Sequence, residues 1–366
     1  MFKMIAERII QPNAEWCTPK VPCGIFPGVC VTADGSLAML SVCGSGFESA
    51  DQRVVVFHGT PDGLEWKECG NWGELRSDGC VFQACAKPTL LRDGTIIAMG
   101  YGYEREETEM SLSGYAEKHG HFPKVRNFVA FSSDGGRNYT SPQFIEHAWG
   151  GIEFSGPAVL LSDGRLLAFG PPFSVDEKSQ IGLCFESMDN GRSWHEKSVF
   201  QPTSSVTAWE TRGIQLSDGR IAVVSWAFDL KSQMHLTNRL AVSDDGGLTW
   251  RQYDTTVHGQ ASNLIELPDG SIGLLYAKRE GDEPGIYLQR MVLDGEGIKL
   301  HECELLYDVS EGTNVAGQIL KQFYNLKFGQ PSLTHLADGY WLLSFWRKNS
   351  SDEYEIVLRK FRKTLD

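Results

Sequence analysis

The dipeptide Asp-Gly recurs along the chain between two apolar segments. It occurs six times in this setting, at Asp34, Asp93, Asp163, Asp218, Asp269 and Asp338. Asp-Gly between two β-patterned segments is a strong hairpin signal, because both central residues of the favoured turn need a positive φ. The repeats are about 61 residues apart on average, so six such units account for the 366-residue chain.

The segments that follow the six dipeptides have similar compositions. They read SLAMLSV, TIIAMGY, RLLAFGP, RIAVVSW, SIGLLYA and YWLLSFW. Strands that are apolar on both faces are buried between neighbouring layers. Small antiparallel sheets set around a common axis form a β-propeller. We therefore predict an all-β fold, a six-bladed β-propeller of four-stranded antiparallel blades, with residues 1–366 as a single domain.

A second repeat has the form Ser-x-Asp-x-Gly-x-x-aromatic. Full copies occupy residues 132–139, 187–194 and 243–250, and a copy one residue short occupies residues 60–66. Ser and Asp side chains satisfy backbone N–H groups in tight turns, and Gly accepts a positive φ. We therefore predict that Asp134, Asp189 and Asp245 have a structural role.

This second repeat resembles the Asp-box, or BNR, repeat of the sialidase superfamily. Residues 24–27 (GIFP) lie where sialidases carry an Arg-Ile-Pro motif. Gly156-Pro157 and Trp209-Glu210 resemble motifs of the third and fourth blades. The resemblance implies a six-bladed propeller with an axial pocket for a small carbohydrate or glycan ligand.

Several residues that act on sialic acid in that family have no counterpart in this sequence. Sialidases grip the sugar carboxylate with three arginines and attack with a tyrosine. The first arginine aligns with Ile25, another with Trp226, and the tyrosine with Gln330. Ile and Trp cannot replace a bidentate Arg–carboxylate contact. We therefore expect a sugar other than sialic acid.

Two carboxylates remain at family positions. The resemblance places Asp51 where sialidases have their acid/base aspartate, and Glu210 where a glutamate assists the nucleophile. Glycoside hydrolysis needs one protonated and one ionised carboxyl group, so both are predicted to be catalytic. The alternatives are that Asp51 caps a turn and that Glu210 pairs with Arg212 or another base.

Hairpin geometry provides a second way to predict the pocket. Positions eight before each Asp and seven after each Gly share the rim opposite the turns. The predicted substrate-binding residues lie at or beside those positions: Tyr101, Tyr103, Arg105, Trp209, Arg212, Trp226, Gln330, Trp346 and Arg347. Aromatic rings stack on the C–H face of a sugar, and polar groups bind its hydroxyls. The arginines, together with Arg279, are candidates for holding a uronate.

The leading hypothesis is an exo-acting glycoside hydrolase that uses Asp51 and Glu210. One alternative is a non-catalytic glycan-binding propeller. Another is a polysaccharide lyase on the same scaffold, with a tyrosine or histidine as the base. His119 and His121 lie in a long segment, residues 104–126, for which a flap or short helix over the pocket is one prediction.

Charge and cysteine content limit the partners and the compartment. There are 34 Lys and Arg against 47 Asp and Glu, a net charge of −13, which argues against nucleic acid and anionic membranes as partners. The nine cysteines have irregular spacing and no CxxC pair, which favours free thiols. We expect a cytoplasmic protein, or a secreted one if a leader has been removed. The sequence indicates no metal or cofactor site, and it leaves the oligomeric state open.

Overall fold

Six antiparallel sheets of four or five strands, with one short two-stranded sheet, make up the part of the chain that the structure describes. The structure is a computed structural model that describes residues 1–17, 23–174, 176, 178–295, 297–309 and 326–363. The chain divides into two compact units, Met1–Glu146 with Lys327–Asp366 and His147–Leu326. Each unit contains three of the six large sheets, and the predicted fold class, a six-bladed β-propeller, is confirmed. The prediction of a single domain over residues 1–366 stays a prediction.

The first unit contains the first, second and sixth blades. Its elements are β1 (Phe2–Ile10), β2 (Cys23–Val31), β3 (Leu37–Gly44), β4 (Arg53–Gly59), β5 (Trp66–Asn71), β6 (Arg76–Ser77), β7 (Cys80–Leu90), β8 (Ile96–Arg105), α1 (Leu112–His119), β9 (Val125–Ser132), β10 (Gln143–Ile145), β25 (Phe328–His335), β26 (Trp341–Lys348) and β27 (Tyr354–Lys363). The three sheets have the strand orders β2-β3-β4-β5, β10-β9-β8-β7-β6 and β1-β27-β26-β25.

The second unit contains the third, fourth and fifth blades. Its strands are β11 (Val159–Leu160), β12 (Leu166–Gly170), β13 (Gln180–Ser187), β14 (His195–Ser204), β15 (Trp209–Gln215), β16 (Ile221–Trp226), β17 (Phe228–Asp229), β18 (Met234–His235), β19 (Arg239–Ser243), β20 (Arg251–Asp254), β21 (Gln260–Glu266), β22 (Ile272–Lys278), β23 (Gly285–Asp294) and β24 (Gly297–Asp308). The sheets have the orders β11-β12-β13-β14, β15-β16-β19-β20 and β21-β22-β23-β24, and β17 and β18 form a small extra hairpin.

The strand after each Asp-Gly turn is buried along most of its length. In β3, for example, all eight residues are buried, and in β16 all six are buried. Separate apolar clusters form within each unit, such as the one that includes Leu37, Met39 and Leu358, and the one that includes Val224, Leu274 and Met291. The continuous apolar segments of the sequence are therefore the second strands of the blades, which are buried on both faces.

The N-terminal strand β1 is the outermost strand of the sixth blade. It pairs antiparallel with β27, and the register brings Ile10 opposite Ile356. The sixth blade is thus built from both ends of the chain. The chain between residues 294 and 326, which joins blades five and six, begins with β24, the fourth strand of blade five. Residues 310–325 of that connection lie outside the described residues.

The Ser-x-Asp-x-Gly turns share one hydrogen-bond pattern. In the third copy, Ser243 Oγ donates to Asp245 Oδ1 at 2.7 Å, and Gly247 N donates to Ser243 Oγ at 2.8 Å. The backbone N–H groups of Leu248 and Thr249 also donate to Asp245 Oδ1. The turns at Asp134 and Asp189 repeat these contacts. The aspartates are therefore acceptors that hold a turn closed.

Removing one of these carboxylates is expected to destabilise the fold. Asp245→Ala removes the acceptor for two backbone N–H groups and for Thr249 Oγ1. We expect the free energy of unfolding to fall by about 1–3 kcal/mol, measured by urea denaturation. Asp244→Ala is the control, because Asp244 is exposed and its contact is an ion pair with Arg251. We expect that control to change stability by less than about 0.5 kcal/mol. Equal losses in the two variants would contradict the turn-closing role.

No helix among the described residues is long and apolar enough to cross a membrane. None of the nine cysteines, all of which lie within the described residues, forms a disulfide.

Candidate active site

The first strand of four blades is interrupted at the same relative position. Phe26, Glu210, Ala261 and Gln330 each lie eight residues before an Asp-Gly turn, and their φ angles are 55°, 48°, 48° and 47°. Each coincides with a register shift between the first two strands of its blade. A left-handed backbone at a non-glycine residue costs about 1–3 kcal/mol and is common at functional sites. This recurrent bulge singles out Glu210, because it is the one carboxylate among the four residues.

A second carboxyl group lies against the bulge at Glu210. The backbone N–H of Glu210 donates to Glu153 Oε1 at 3.2 Å. Glu153 lies just before β11, where its own N–H donates to the carbonyl of Pro171. Burial and then the negative charge of Glu210 raise the pKa of Glu153 to about 8, against the opposing effects of the Glu210 N–H and Arg212. Glu153 is therefore a protonated carboxyl group near neutral pH.

Arg212 links the bulge in β15 to the segment that precedes β11. Its Nη1 donates to Ser155 Oγ at 2.6 Å and to the carbonyl oxygens of Glu210 and Thr211 at 3.3 and 3.1 Å. A Cβ on Gly156 would lie 2.9 Å from the Thr211 carbonyl oxygen, so glycine permits this close approach. The predicted substrate-binding residue Arg212 is thus buried and fixes the backbone of the bulge.

A second arginine reaches the same region from blade five. Arg279 follows β22, is 2% exposed, and places its guanidinium carbon 5.9 Å from the ring centre of Trp226. Burial lowers the pKa of Arg279 to about 10, and the negative charge of Glu210 opposes that effect. Arg279 therefore stays positively charged at neutral pH, within the electrostatic field of Glu210.

Aromatic rings cluster around Trp209, the residue that directly precedes Glu210 in the chain. Trp209 stacks on Phe228 with ring centres 5.8 Å apart and meets Trp226 edge-on at 5.5 Å. Trp226 Nε1 donates to His235 Nδ1 at 3.1 Å, and His235 Nε2 lies 3.1 Å from Glu280 Oε1. The extra hairpin β17–β18 supplies Phe228 and His235. Trp226 is nearly fully buried, whereas Trp209 is partly exposed beside Glu210.

Asp51, the other predicted catalytic residue, belongs to the first unit. Its carboxylate accepts from Ser45 N at 3.0 Å and from Ser45 Oγ at 2.5 Å. Burial raises the pKa of Asp51, but the hydrogen bonds from Ser45 and Ser49 outweigh burial and leave the pKa below its usual value. In the first unit Asp51 thus closes the loop between β3 and β4, which matches the alternative that it caps a turn.

The remaining predicted pocket residues also lie in the first unit. Tyr101 and Tyr103 are partly exposed neighbours with ring centres 5.9 Å apart. Trp346 is 0% exposed and packs against Phe47 and Tyr354, so it offers no open face for a sugar. The others are Gln330, which is buried at its bulge, Arg347, which pairs with Glu355 at 2.7 Å, and Arg105, which is 1% exposed.

Arg105 anchors the segment predicted as a flap or short helix. It donates to Gln83, to the Glu48 carbonyl and to the Met110 carbonyl. The segment contains α1, whose Ser113 donates from N and Oγ to the carboxylate of Glu48 at 2.8 and 2.6 Å. A short helix is therefore present at residues 112–119, and it is tied to the loop that contains Asp51. His119 and His121 are exposed there, and His119 pairs with Glu107.

The sequence motifs do not point to Glu153. The count from the turn gives Ser155, eight residues before Asp163, as the rim position of blade three, and Glu153 lies two residues earlier. Counting ten residues before each Asp-Gly, as well as eight, would have included Glu153.

No protein-family model matches this sequence, and no curated protein sequence matches it either. Solved structures do match. A protein of unknown function from Dyadobacter fermentans DSM 18053 superposes with a TM-score of 0.75 at 17% identity, over 99% of both chains. The NanB sialidase from Streptococcus pneumoniae gives 0.63 at 11% identity, over 96% of this chain and 70% of that one.

A third similar structure is an α-L-arabinanase from Penicillium chrysogenum complexed with arabinobiose. It has a TM-score of 0.62 at 12% identity, over 97% of this chain and 98% of that one. At these identities the similarity concerns the fold. Together with the six sheets, it shows that the chain has the fold of a sialidase-like six-bladed β-propeller.

Proposed function

We propose that the protein is an exo-acting glycoside hydrolase in which Glu153 and Glu210 are the reacting carboxyl groups. The observation that carries this proposal is the contact between the Glu210 bulge and Glu153, whose pKa is raised to about 8. Two carboxyl groups in one site, one protonated and one ionised at the same pH, are what glycoside hydrolysis requires. Solved glycoside hydrolases with the same fold support the assignment.

In the proposed reaction Glu153 donates its proton to the glycosidic oxygen as the bond to the leaving sugar breaks. Glu210, as a carboxylate, either attacks the anomeric carbon or takes a proton from the attacking water. In both cases one water is consumed and one hydroxyl forms on each product. Arg212 contacts both Ser155 and the backbone carbonyl of Glu210. These contacts fix the conformation of the bulge and therefore the position of Glu210 relative to Glu153.

Asp51 is less suited to the acid role than Glu153. A general acid must hold a proton at the working pH, and the pKa of Asp51 lies below its usual value. Its two contacts with Ser45 use both carboxylate oxygens. Glu153 therefore replaces Asp51 in our assignment, while Glu210 keeps the role that the sequence predicted.

A neutral sugar fits the site better than a uronate. Of the arginines that the sequence offered for a sugar carboxylate, Arg105, Arg212 and Arg279 are buried and Arg347 pairs with Glu355. The partly exposed ring of Trp209 beside Glu210 offers an aromatic face to sugar C–H groups. The arabinanase of the same fold is complexed with a neutral disaccharide, arabinobiose.

A digest of defined sugars, read by mass spectrometry, tests the proposal. Arabino-oligosaccharides, neutral aryl glycosides, uronate oligosaccharides and sialosides are each incubated with the protein. We expect a product with one added water from a neutral substrate and none from sialosides. The matched control is Glu153→Gln/Glu210→Gln, purified identically, which excludes a contaminating glycosidase. An unsaturated product would indicate a lyase, and tight binding without a product would indicate a glycan-binding propeller; either result would overturn the hydrolase.

A further inference from the structure

The β17–β18 hairpin is an insertion in blade four, between the second and third strands of its sheet. The connection there covers residues 227–238, whereas the equivalent connection in blade five covers residues 279–284. The insertion is bonded to the segment that leads into β15. Thr207 N donates to the carbonyl of Phe228 at 2.9 Å, and Phe228 N donates to Thr207 Oγ1 at 3.0 Å. The hairpin is therefore attached to the chain two residues before Trp209.

The ring of Trp209 packs against this hairpin. Its plane lies 11° from that of Phe228, with the ring centres 5.8 Å apart, and it meets Trp226 edge-on at 5.5 Å. Phe228 is 0% exposed and Trp226 is 4% exposed, so two buried rings support one that is partly exposed. The peptide group that joins Trp209 to Glu210 donates to Glu153 Oε1 at 3.2 Å. The supported ring therefore belongs to a residue whose backbone contacts the carboxyl pair.

His235, in the second strand of the hairpin, fixes the two supporting rings. Its ring meets Phe228 edge-on with ring centres 4.8 Å apart, and its Nδ1 accepts a hydrogen bond from Trp226 Nε1 at 3.1 Å. The other ring nitrogen, Nε2, lies 3.1 Å from Oε1 of Glu280, which is in the connection that follows β22. Both nitrogens of His235 thus have contacts, and the hairpin is tied to blade five as well as to blade four.

We propose that His235 is a positioning residue that holds Trp209 as a fixed stacking platform for a neutral sugar. An immobile aromatic ring binds the C–H face of a sugar more tightly than a mobile one, because less conformational entropy is lost on binding. His235 contacts the supporting rings and acts on the sugar through them. The inference rests on the proposed function for the identity of the ligand, a neutral glycan.

A double-mutant cycle read by sugar binding tests the proposal. The background is Glu153→Gln/Glu210→Gln, which leaves a disaccharide intact, and the probes are arabinobiose, xylobiose, cellobiose and lactose, titrated by calorimetry. For the probe that binds most tightly, Trp209→Ala and His235→Ala should each raise Kd about tenfold. Combining the two should raise Kd no more than Trp209→Ala alone, because His235 acts through that ring. Met234→Ala is the matched control, since Met234 lies next to His235, is 60% exposed and should leave Kd unchanged when replaced.

A conservative variant and a second contact of the same histidine complete the test. His235→Asn keeps an acceptor for Trp226 Nε1 and should restore most of the affinity. If His235→Ala does not fold, Glu280→Ala replaces it in the cycle, because Glu280 is the more exposed partner of His235, and the expected rise in Kd is then about threefold. Additive losses in the cycle, or an unchanged Kd in a folded His235→Ala variant, would overturn the proposal.

The same substitutions with both glutamates present separate this inference from the proposed function. His235→Ala should raise KM about tenfold and leave kcat within about twofold, because the platform binds the sugar and takes no part in the reaction. A cycle that holds in Kd without any turnover would refute the proposed function and leave this inference intact. Turnover with an unchanged KM in His235→Ala would refute this inference alone. If none of the four disaccharides binds, the inference fails, and turnover alone then decides the proposed function.

Discussion

Replacing Glu210 by alanine is expected to lower kcat at least about 10³-fold while the protein remains folded. A site that loses its nucleophile or base keeps only the contribution of binding and of the remaining acid. The backbone can accept this change, because Ala261 occupies the equivalent bulge of blade five with the same φ of 48°. The variant therefore removes the carboxylate without removing the local conformation.

Added azide distinguishes the loss of a reacting carboxylate from a general loss of structure. A small anion can enter the space that the Glu210 side chain leaves and attack the anomeric carbon in its place. We expect azide to restore turnover of an activated aryl glycoside by Glu210→Ala and to give a glycosyl azide, detected by mass spectrometry. The control is Glu266→Gln, a glutamate of the same unit that accepts from Ser217 and should keep normal turnover. Normal turnover by a folded Glu210→Ala would remove this residue from the mechanism.

The sequence predicts the blades well because the hairpin signal is local. An Asp-Gly turn needs only its own backbone conformation, and the apolar strand after it needs only a buried setting in its blade. The same counting from each turn gives six rim positions. Phe26, Glu210, Ala261 and Gln330 among them have a positive φ, whereas Cys85 and Ser155 do not. Features that recur at a fixed distance from each turn can therefore be predicted from a single sequence.

The depth of a side chain and its electrostatic partners are not local properties. Trp346 is at a counted rim position and Arg105 is four residues beyond one, yet packing leaves both buried. Glu153 looks ordinary in the sequence, because the effect on its pKa comes from burial and from Glu210, which is 57 residues away along the chain. The resemblance points to Asp51, but the contacts of Asp51 with Ser45 depend on how one loop closes. These features depend on the folded contacts, so the sequence alone could not rank the carboxyl groups.

Replacing Glu153 by glutamine should slow the cleavage of substrates whose leaving group needs a proton and spare those whose leaving group does not. Glu153→Gln cannot protonate the glycosidic oxygen, so hydrolysis of a natural oligosaccharide should fall by about 10²–10⁴-fold. A dinitrophenyl glycoside needs no proton on its leaving group, so kcat/KM for its cleavage should stay near the wild-type value. Asp51→Asn, tested on the same two substrates, should affect both equally if Asp51 only closes its loop. A selective loss in Asp51→Asn instead of Glu153→Gln would return the acid role to Asp51.

The titration of Glu153 predicts how both turnover and stability change with pH. Wild-type turnover of the oligosaccharide should fall as pH rises through about 8, because Glu153 then loses its proton.

The stability of the folded protein should depend on the titration of the same carboxyl group. The folded protein binds this proton more tightly than the unfolded chain, whose ordinary pKa is 4.5, so stability falls as pH rises from about 4.5 to about 8 and then levels off. Glu153→Gln lacks the titrating group, so its stability should not fall in this way. The thermal midpoint of the variant minus that of the wild type should therefore increase as pH rises over that range. A difference that does not change with pH would mean that Glu153 is ionised throughout, and with it the acid role would be lost.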